Sequence, residues 1–128
     1  MKIQITLILC LVSFWGFSQT VIPAKQAYSE LKDKNRQLID VRTPQEYASG
    51  HIQHAVNINW NDQKLFTESL KGFDKNKPVY LYCRSGVRSA KAAAQLSKQG
   101  FTVYDIQGGI LEWEKQELPL EEKKEKTP

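Results

Sequence analysis

The segment Val79-Tyr80-Leu81-Tyr82-Cys83 carries no charged or amide side chain at any position, and an alanine-rich stretch, Val87 to Gln99, follows it closely. A strand with one face in water alternates apolar and polar side chains, whereas one that does not alternate is covered on both sides. This segment therefore demands helices on both faces of its sheet. Its neighbours supply them. Gln37 to Val41, Ala55 to Ile58 and Phe101 to Ile106 also read as strands, while Ala24 to Lys32, Pro44 to Ala48, Asp62 to Leu70, Val87 to Gln99 and Ile110 to Lys115 read as helices. Such alternation predicts an α/β sheet. A chain of 128 residues has room for one domain of this kind and not for two.

Element boundaries carry their own chemistry. Thr43-Pro44-Gln45-Glu46 is a capping box with proline at the first helical position, so a helix begins directly after the strand that ends in Asp40 and Val41. Gly50 suits a left-handed residue that stops it, and Gly100 ends the long helix. Ala90, Ala93 and Ala94 lie on one side of that helix at helical spacing, small enough for a close approach to the sheet.

The first 18 residues read as an address. Lys2 gives a short positive start, Ile3 to Val12 is largely apolar, and Gly16-Phe17-Ser18 offers small residues where a signal peptidase cuts. Ile3 to Phe17 is shorter than the ~20 apolar residues that span a bilayer. The expectation is export to the periplasm with cleavage after Ser18 and no stable membrane insertion afterwards; secretion and a retained N-terminal anchor are the alternatives. Removal of the leader also removes Cys10, which leaves Cys83 as the one thiol of the mature chain and excludes an internal disulfide. An oxidising compartment makes a lone thiol a hazard unless it is buried or used.

The net charge of +4, from 18 Lys and Arg against 14 Asp and Glu, is interleaved in sign and forms no basic stripe. That distribution argues against nucleic acid as a partner and for solubility. The folded domain is expected over residues 19–117. From Leu118 to Pro128 a charged tail follows, in which three Glu balance three Lys, and it is expected to be solvated.

Cys83-Arg84-Ser85-Gly86-Val87-Arg88-Ser89 follows the buried strand and opens a helix. A strand's carboxyl end is where an open α/β sheet places its ligand. Ser85 and Gly86 can turn the chain so that successive N–H groups converge on an anion, backed by the positive helix terminus. That terminus and the charges of Arg84 and Arg88 favour the thiolate, which is the nucleophilic form. Arginine is scarce here, four against 14 lysines, yet two of the four fall beside Cys83. Its planar fork of donors suits a tetrahedral oxyanion. A buried structural cysteine flanked by solvated arginines is the bland alternative.

This loop resembles the active-site loop of rhodanese-type sulfurtransferases. Asp40-Val41-Arg42, Glu46-Tyr47 and Gly50-His51-Ile52 with Ala55 and Asn57 resemble that family's N-terminal signature, and Gly108-Gly109-Ile110 followed by Trp113 is similar to its C-terminal motif. The resemblance covers Val21 to Gln116, and three ordered motifs are far more specific than one loop. It implies a single rhodanese-like domain, a central, mostly parallel sheet flanked by helices on both faces. It also implies that Cys83 is a persulfide-forming nucleophile, with the N–H groups of Arg84, Ser85, Gly86, Val87 and Arg88 holding the bound sulfur. The Arg84 and Arg88 side chains would attract a small anionic donor such as thiosulfate. Cyanide or a thiol, free or on a protein, would accept the sulfur. No metal or organic cofactor is implied, and a monomer suffices.

Two other functions fit the same residues. A carrier would hold a persulfide for a partner protein without turning over small donors. A cysteine-based phosphatase or arsenate reductase would encircle its oxyanion with Cys-x5-Arg; Cys83 to Arg88 is one residue shorter, and position 89 is Ser where that design wants Arg. His51 and His54 lack a ligand cluster at metal spacing and are read as structural or solvated. Asp40 and Arg42 are read as a structural network, Tyr47, Tyr80, Tyr82 and Trp113 as core. Gly108 and Gly109 either admit the backbone close to the cysteine loop or only turn the chain.

Overall fold

The computed structural model describes residues 19–121, so the leader read at 1–18 lies outside the described residues, as does the end of the tail. Five strands, β1 (Gln19–Ile22), β2 (Gln37–Asp40), β3 (Val56–Asn57), β4 (Val79–Tyr82) and β5 (Val103–Ile106), form one sheet in the order β1-β5-β4-β2-β3. Every pairing is parallel. Five helices connect and cover it: α1 (Ala24–Glu30), α2 (Pro44–Ser49), α3 (Gln63–Ser69), α4 (Val87–Lys98) and α5 (Gly109–Lys115), with a 3-10 turn at Leu70–Gly72.

β4 lies at the centre, and all four of its residues are buried. Leu81 and Val79 pack on one side with Phe66 and Leu70 and with Ala92, Ala93 and Leu96 of α4. Tyr80 and Tyr82 pack on the other with Ala24 and Ala27 of α1 and Ile110 and Trp113 of α5. Each large side chain so buried contributes about 1.5–3 kcal/mol, which is why a strand this short can organise the domain.

The capping box at the start of α2 is complete: Thr43 accepts from Glu46 N, and the Glu46 carboxylate accepts from Thr43 N. Two local readings need correction. Gly50 closes α2 with φ 151° and ψ 136°, a positive-φ extended conformation rather than the left-handed helical one. The face that α4 buries is Ser89, Ala92, Ala93, Leu96 and Ser97; Ala90 is exposed. Leu96 anchors that face and rotates it one position from the alanine pattern.

β1, absent from the strand assignment, pairs with β5 at the sheet edge, where only Ile22 is buried. The tail is docked as far as Glu121. Trp113 Nε1 donates to Pro119 O at 3.0 Å, Leu118 and Leu120 pack against the core, and His51 and Glu121 exchange two backbone hydrogen bonds of 2.9 and 2.7 Å. The expected solvated tail is therefore corrected over 118–121, where two leucines outweigh the balanced charges.

Candidate active site

Cys83 is the residue after β4, and Gly86 caps α4 with φ +110°, a conformation that favours glycine. The turn folds the loop back over the sulfur. Gly86 N donates to Cys83 Sγ at 3.1 Å, and Ser89 Oγ lies 3.5 Å from it. Cys83 is 1% exposed, while Arg84, Ser85 and Val87 above it are exposed. The sulfur therefore sits at the bottom of a cup whose rim faces solvent.

Burial is the largest single influence on the Cys83 thiol and pushes its pKa up. Hydrogen bonds from the Ser89 hydroxyl and from the N–H groups of Ser89, Gly86 and Ser85 together outweigh it and hold the thiol below its ordinary 9.0. Amides and a hydroxyl therefore stabilise the anion, where the arginine charges had been expected to share the task. Arg88 is engaged elsewhere: its guanidinium grips Glu46 with two bonds of 2.7 and 2.9 Å. That pair draws the Glu46 pKa down to about 2, against burial, which acts to raise it. A guanidinium held by a carboxylate is not folded around an oxyanion, which removes the main support for the phosphatase-like reading. Arg84 is exposed and forms no ion pair among the described residues.

The C-terminal motif underpins the loop. Ile110 N donates to Cys83 O at 2.9 Å and Leu111 N to Arg84 O at 3.2 Å. Gly109, at φ +60°, lies so close that an added Cβ would meet Cys83 O at 2.4 Å and Arg84 O at 2.5 Å. Of the two readings given for this glycine pair, close backbone approach is the one realised at Gly109. The N-terminal signature does its work one strand away. Buried Asp40 accepts from Arg42 Nη2 and from Tyr82 Oη, both at 2.7 Å, and Arg42 Nη2 also donates to Gly50 O at 2.7 Å. Tyr82 Oη in turn accepts from Ile52 N at 3.0 Å, and Asn57 Nδ2 donates to Asp40 O and Arg42 O. This network is structural, as read, and fixes the segment after α2 to the strand that carries Cys83.

His51 stacks on Tyr47 at 3.7 Å, its Nδ1 lies 2.9 Å from Tyr47 O, and its Nε2 is 3.3 Å from Glu121. His54 is exposed. Among the described residues no group of three or more His, Cys, Asp or Glu is placed to hold a metal, and no helix is long and apolar enough to cross a membrane. Tyr80, Tyr82 and Trp113 are buried as expected; Tyr47 is half-buried, with its hydroxyl donating to Ala55 O. A cavity of about 450 Å³ lies away from Cys83, lined by Tyr28, Lys32, Arg36, Ile52, His54 and Trp113 among others. Ser89 and Glu46 were not assigned to the site from sequence. Ser89 was legible in part, since it falls three and four positions before Ala92 and Ala93 on the buried face of α4.

The family model for the rhodanese-like domain matches residues 23–116. A protein of Bacillus subtilis strain 168 named "Putative sulfurtransferase YtwF" is 38% identical over 87 residues, which is 68% of this chain and 82% of that one. The tRNA uridine(34) hydroxylase of Buchnera aphidicola subsp. Baizongia pistaciae is 37% identical over 99 residues, 73% of this chain but 31% of the hydroxylase. For several such curated relatives the match spans less than two thirds of their length. The crystal structure of a rhodanese-related protein from Thermoplasma volcanium superposes with a TM-score of 0.71 at 30% identity, covering 80% of this chain and 97% of that one. The fold, the cysteine cup at the end of the central strand and these likenesses together lead to one conclusion: the chain belongs to the rhodanese-like domain family, which supports a role in sulfur transfer.

Proposed function

We propose that the protein is a sulfurtransferase that carries sulfane sulfur on Cys83. The observation that carries this reading is the sulfur held 3.1 Å from Gly86 N in a cup of amides, with its thiol below the ordinary range. The Cys83 thiolate attacks the outer sulfur of a donor such as thiosulfate. A new S–S bond forms, the donor's S–S bond breaks, and sulfite leaves with the electron pair. Cyanide or a thiolate then attacks the terminal sulfur of the persulfide and returns Cys83 as thiolate, a two-step exchange. The N–H groups that favour S⁻ equally favour the persulfide anion, and Arg84 on the rim draws the anionic donor. No cofactor is needed for this chemistry. Cys83→Ser is expected to abolish thiosulfate-to-cyanide transfer and leave the fold intact; retained turnover would overturn the assignment.

A carrier role is the second reading, favoured by the 1% exposure of Cys83, which hinders small donors. Intact mass after exposure to thiosulfate separates the two: gain of one sulfur with negligible turnover identifies a carrier, and gain with steady turnover the enzyme. We further propose export, with the sulfur chemistry outside the cytoplasm, from the leader at 1–18. N-terminal sequencing of the protein recovered from cell fractions tests it.

A further inference from the structure

The cavity of about 450 Å³ takes no part in the sulfur chemistry. Leu38 of β2 lines it and pairs with Tyr80 of β4, three residues before Cys83 and so about 10 Å back along the strands. Leu38, Ile52 and Trp113 belong to the core on the α1 and α5 side of the sheet, whereas Cys83 belongs to the core on the α4 side. The cavity and the sulfur therefore lie on opposite faces. Protein interiors have few voids larger than a water molecule, and a concavity of several hundred Å³ with an apolar lining and a few convergent polar groups is the usual form of a small-molecule site.

Tyr28, Leu31, Leu38, Ile52 and Trp113 supply the apolar lining. The rings of Tyr28 and Trp113 stand edge to face, 5.8 Å apart at 84°. The docked tail adds Pro119, whose carbonyl accepts from Trp113 Nε1 at 3.0 Å and leaves that indole no free donor. The charged lining is mostly positive: Lys32, Lys34 and Arg36 stand against one acid, Asp33. Asp33 serves its own turn, with Oδ1 accepting from Asn35 N at 3.0 Å and Oδ2 3.8 Å from Arg36 Nε, too far for a hydrogen bond. Arg36 Nε has no hydrogen-bond partner, although Nη1 donates to Tyr80 Oη at 2.6 Å. Lys32 Nζ lies over the Tyr28 ring, 5.1 Å from its centre, and neither Lys32 nor Lys34 forms an ion pair among the described residues. An apolar lining calls for an apolar body, and cations left unbalanced beside it call for an anionic group. A bare inorganic anion offers only the second.

We propose that this cavity is a second ligand site, which takes a small amphipathic anion: an aromatic or medium-length aliphatic carboxylate or sulfonate. Its body lies against Tyr28, Ile52 and Trp113, and its charge points to Lys32, Lys34 and Arg36. Binding is non-covalent and does not depend on the reading of Cys83, so a chain inactive in sulfur transfer would still hold the ligand.

The experiment titrates the protein with anilinonaphthalene sulfonate, a fluorescent aromatic anion, and with phenylnaphthylamine, its uncharged counterpart. The sulfonate is expected to bind roughly tenfold more tightly than the amine, to be displaced by octanoate, and to stay bound when inorganic phosphate is added. Proton–nitrogen NMR places it: the largest shifts should fall on Lys32, Ile52, Gln53 and Trp113 Nε1, while Cys83 and Gly86 stay put. Reversing two exposed charges, Lys32→Glu with Lys34→Glu, should weaken the sulfonate roughly tenfold and the amine less than about twofold. Lys91→Glu with Lys98→Glu makes the same change of net charge on exposed positions of α4, across the sheet, and should alter neither by more than about twofold. Four results would each overturn the proposal: no binding of the sulfonate, equal affinity for the two probes, equal effects of the two double variants, or shifts gathered around Gly86. Displacement by phosphate as effective as by octanoate would reduce the site to a plain anion contact and overturn it as well.

Discussion

Gly109→Ala is the substitution that should do most damage for its size. The added Cβ would meet Cys83 O at 2.4 Å, Arg84 O at 2.5 Å and Arg84 C at 2.7 Å, all backbone atoms that no rotamer change can clear. A left-handed conformation at φ +60° costs alanine about 1–2 kcal/mol. Displacing the packed loop adds about 1–3 kcal/mol, in the range for overfilled interiors. The total, about 2–5 kcal/mol, corresponds to a fall in Tm of roughly 10–30 °C for a domain near 100 residues. The displacement falls on the two carbonyls that anchor the loop through Ile110 N and Leu111 N, so the amide cup should open and alkylation of Cys83 at pH 7 should slow. Gly72→Ala is the control, because nothing lies within 4 Å of its Cβ and its φ is not in the left-handed region. Thermal unfolding by circular dichroism and the alkylation rate measure both effects. If Gly109→Ala unfolds within about 0.5 kcal/mol of wild type and keeps its thiol reactivity, the claim that the C-terminal motif shapes the cup is wrong.

Other outcomes follow from the charges and the burial. Glu46→Gln releases Arg88 and removes an anion beside the loop; KM for thiosulfate should fall about two- to threefold while stability drops by about 1 kcal/mol, and Arg84→Ala should raise KM more than Arg88→Ala does. Acid should act on two groups with opposite sign. Glu46, lowered from 4.5 to about 2, stabilises the fold above pH 4.5 and loses that contribution as pH falls toward 2. Asp105, raised from 3.8 to about 6, favours the fold below 3.8 and loses that contribution as pH rises through 6, so Asp105→Asn should flatten this part of a urea-unfolding profile. Because Cys83 lies under the loop, a bulky aromatic disulfide should react with it at least about tenfold more slowly, relative to free cysteine, than iodoacetamide does. Equal relative rates would show that the sulfur is open.

The sheet was legible because its central strand is apolar on both faces and because four of five strands and all five helices announce themselves by period or cap. β1 was not, since three of its four residues are exposed and in the sequence it follows directly on the apolar N-terminal stretch that reads as an address. The cysteine loop could be placed from residue order alone, at a strand end before a helix. What surrounds the sulfur could not. The Arg88–Glu46 pair joins positions 42 apart, so two arginines beside a thiol read as free charges until the fold brings the acid to one of them. Gly109 lies 26 positions beyond Cys83, and only the backbone approach shows which of its two readings holds.

The central claim is that donors from one short loop and the first turn of α4 hold the pKa of a buried thiol below its ordinary value. Its most direct measurement is the pH midpoint of Cys83 alkylation in the folded protein, resolved on the Cys83 peptide so that Cys10 does not contribute. The account predicts a midpoint clearly below 9.0 that returns to or above it when the protein is unfolded in urea or when Ser89 is replaced by alanine. A folded-state midpoint at or above 9.0 would mean that burial prevails over the amide cup, and the sulfur-transfer reading would lose its physical basis.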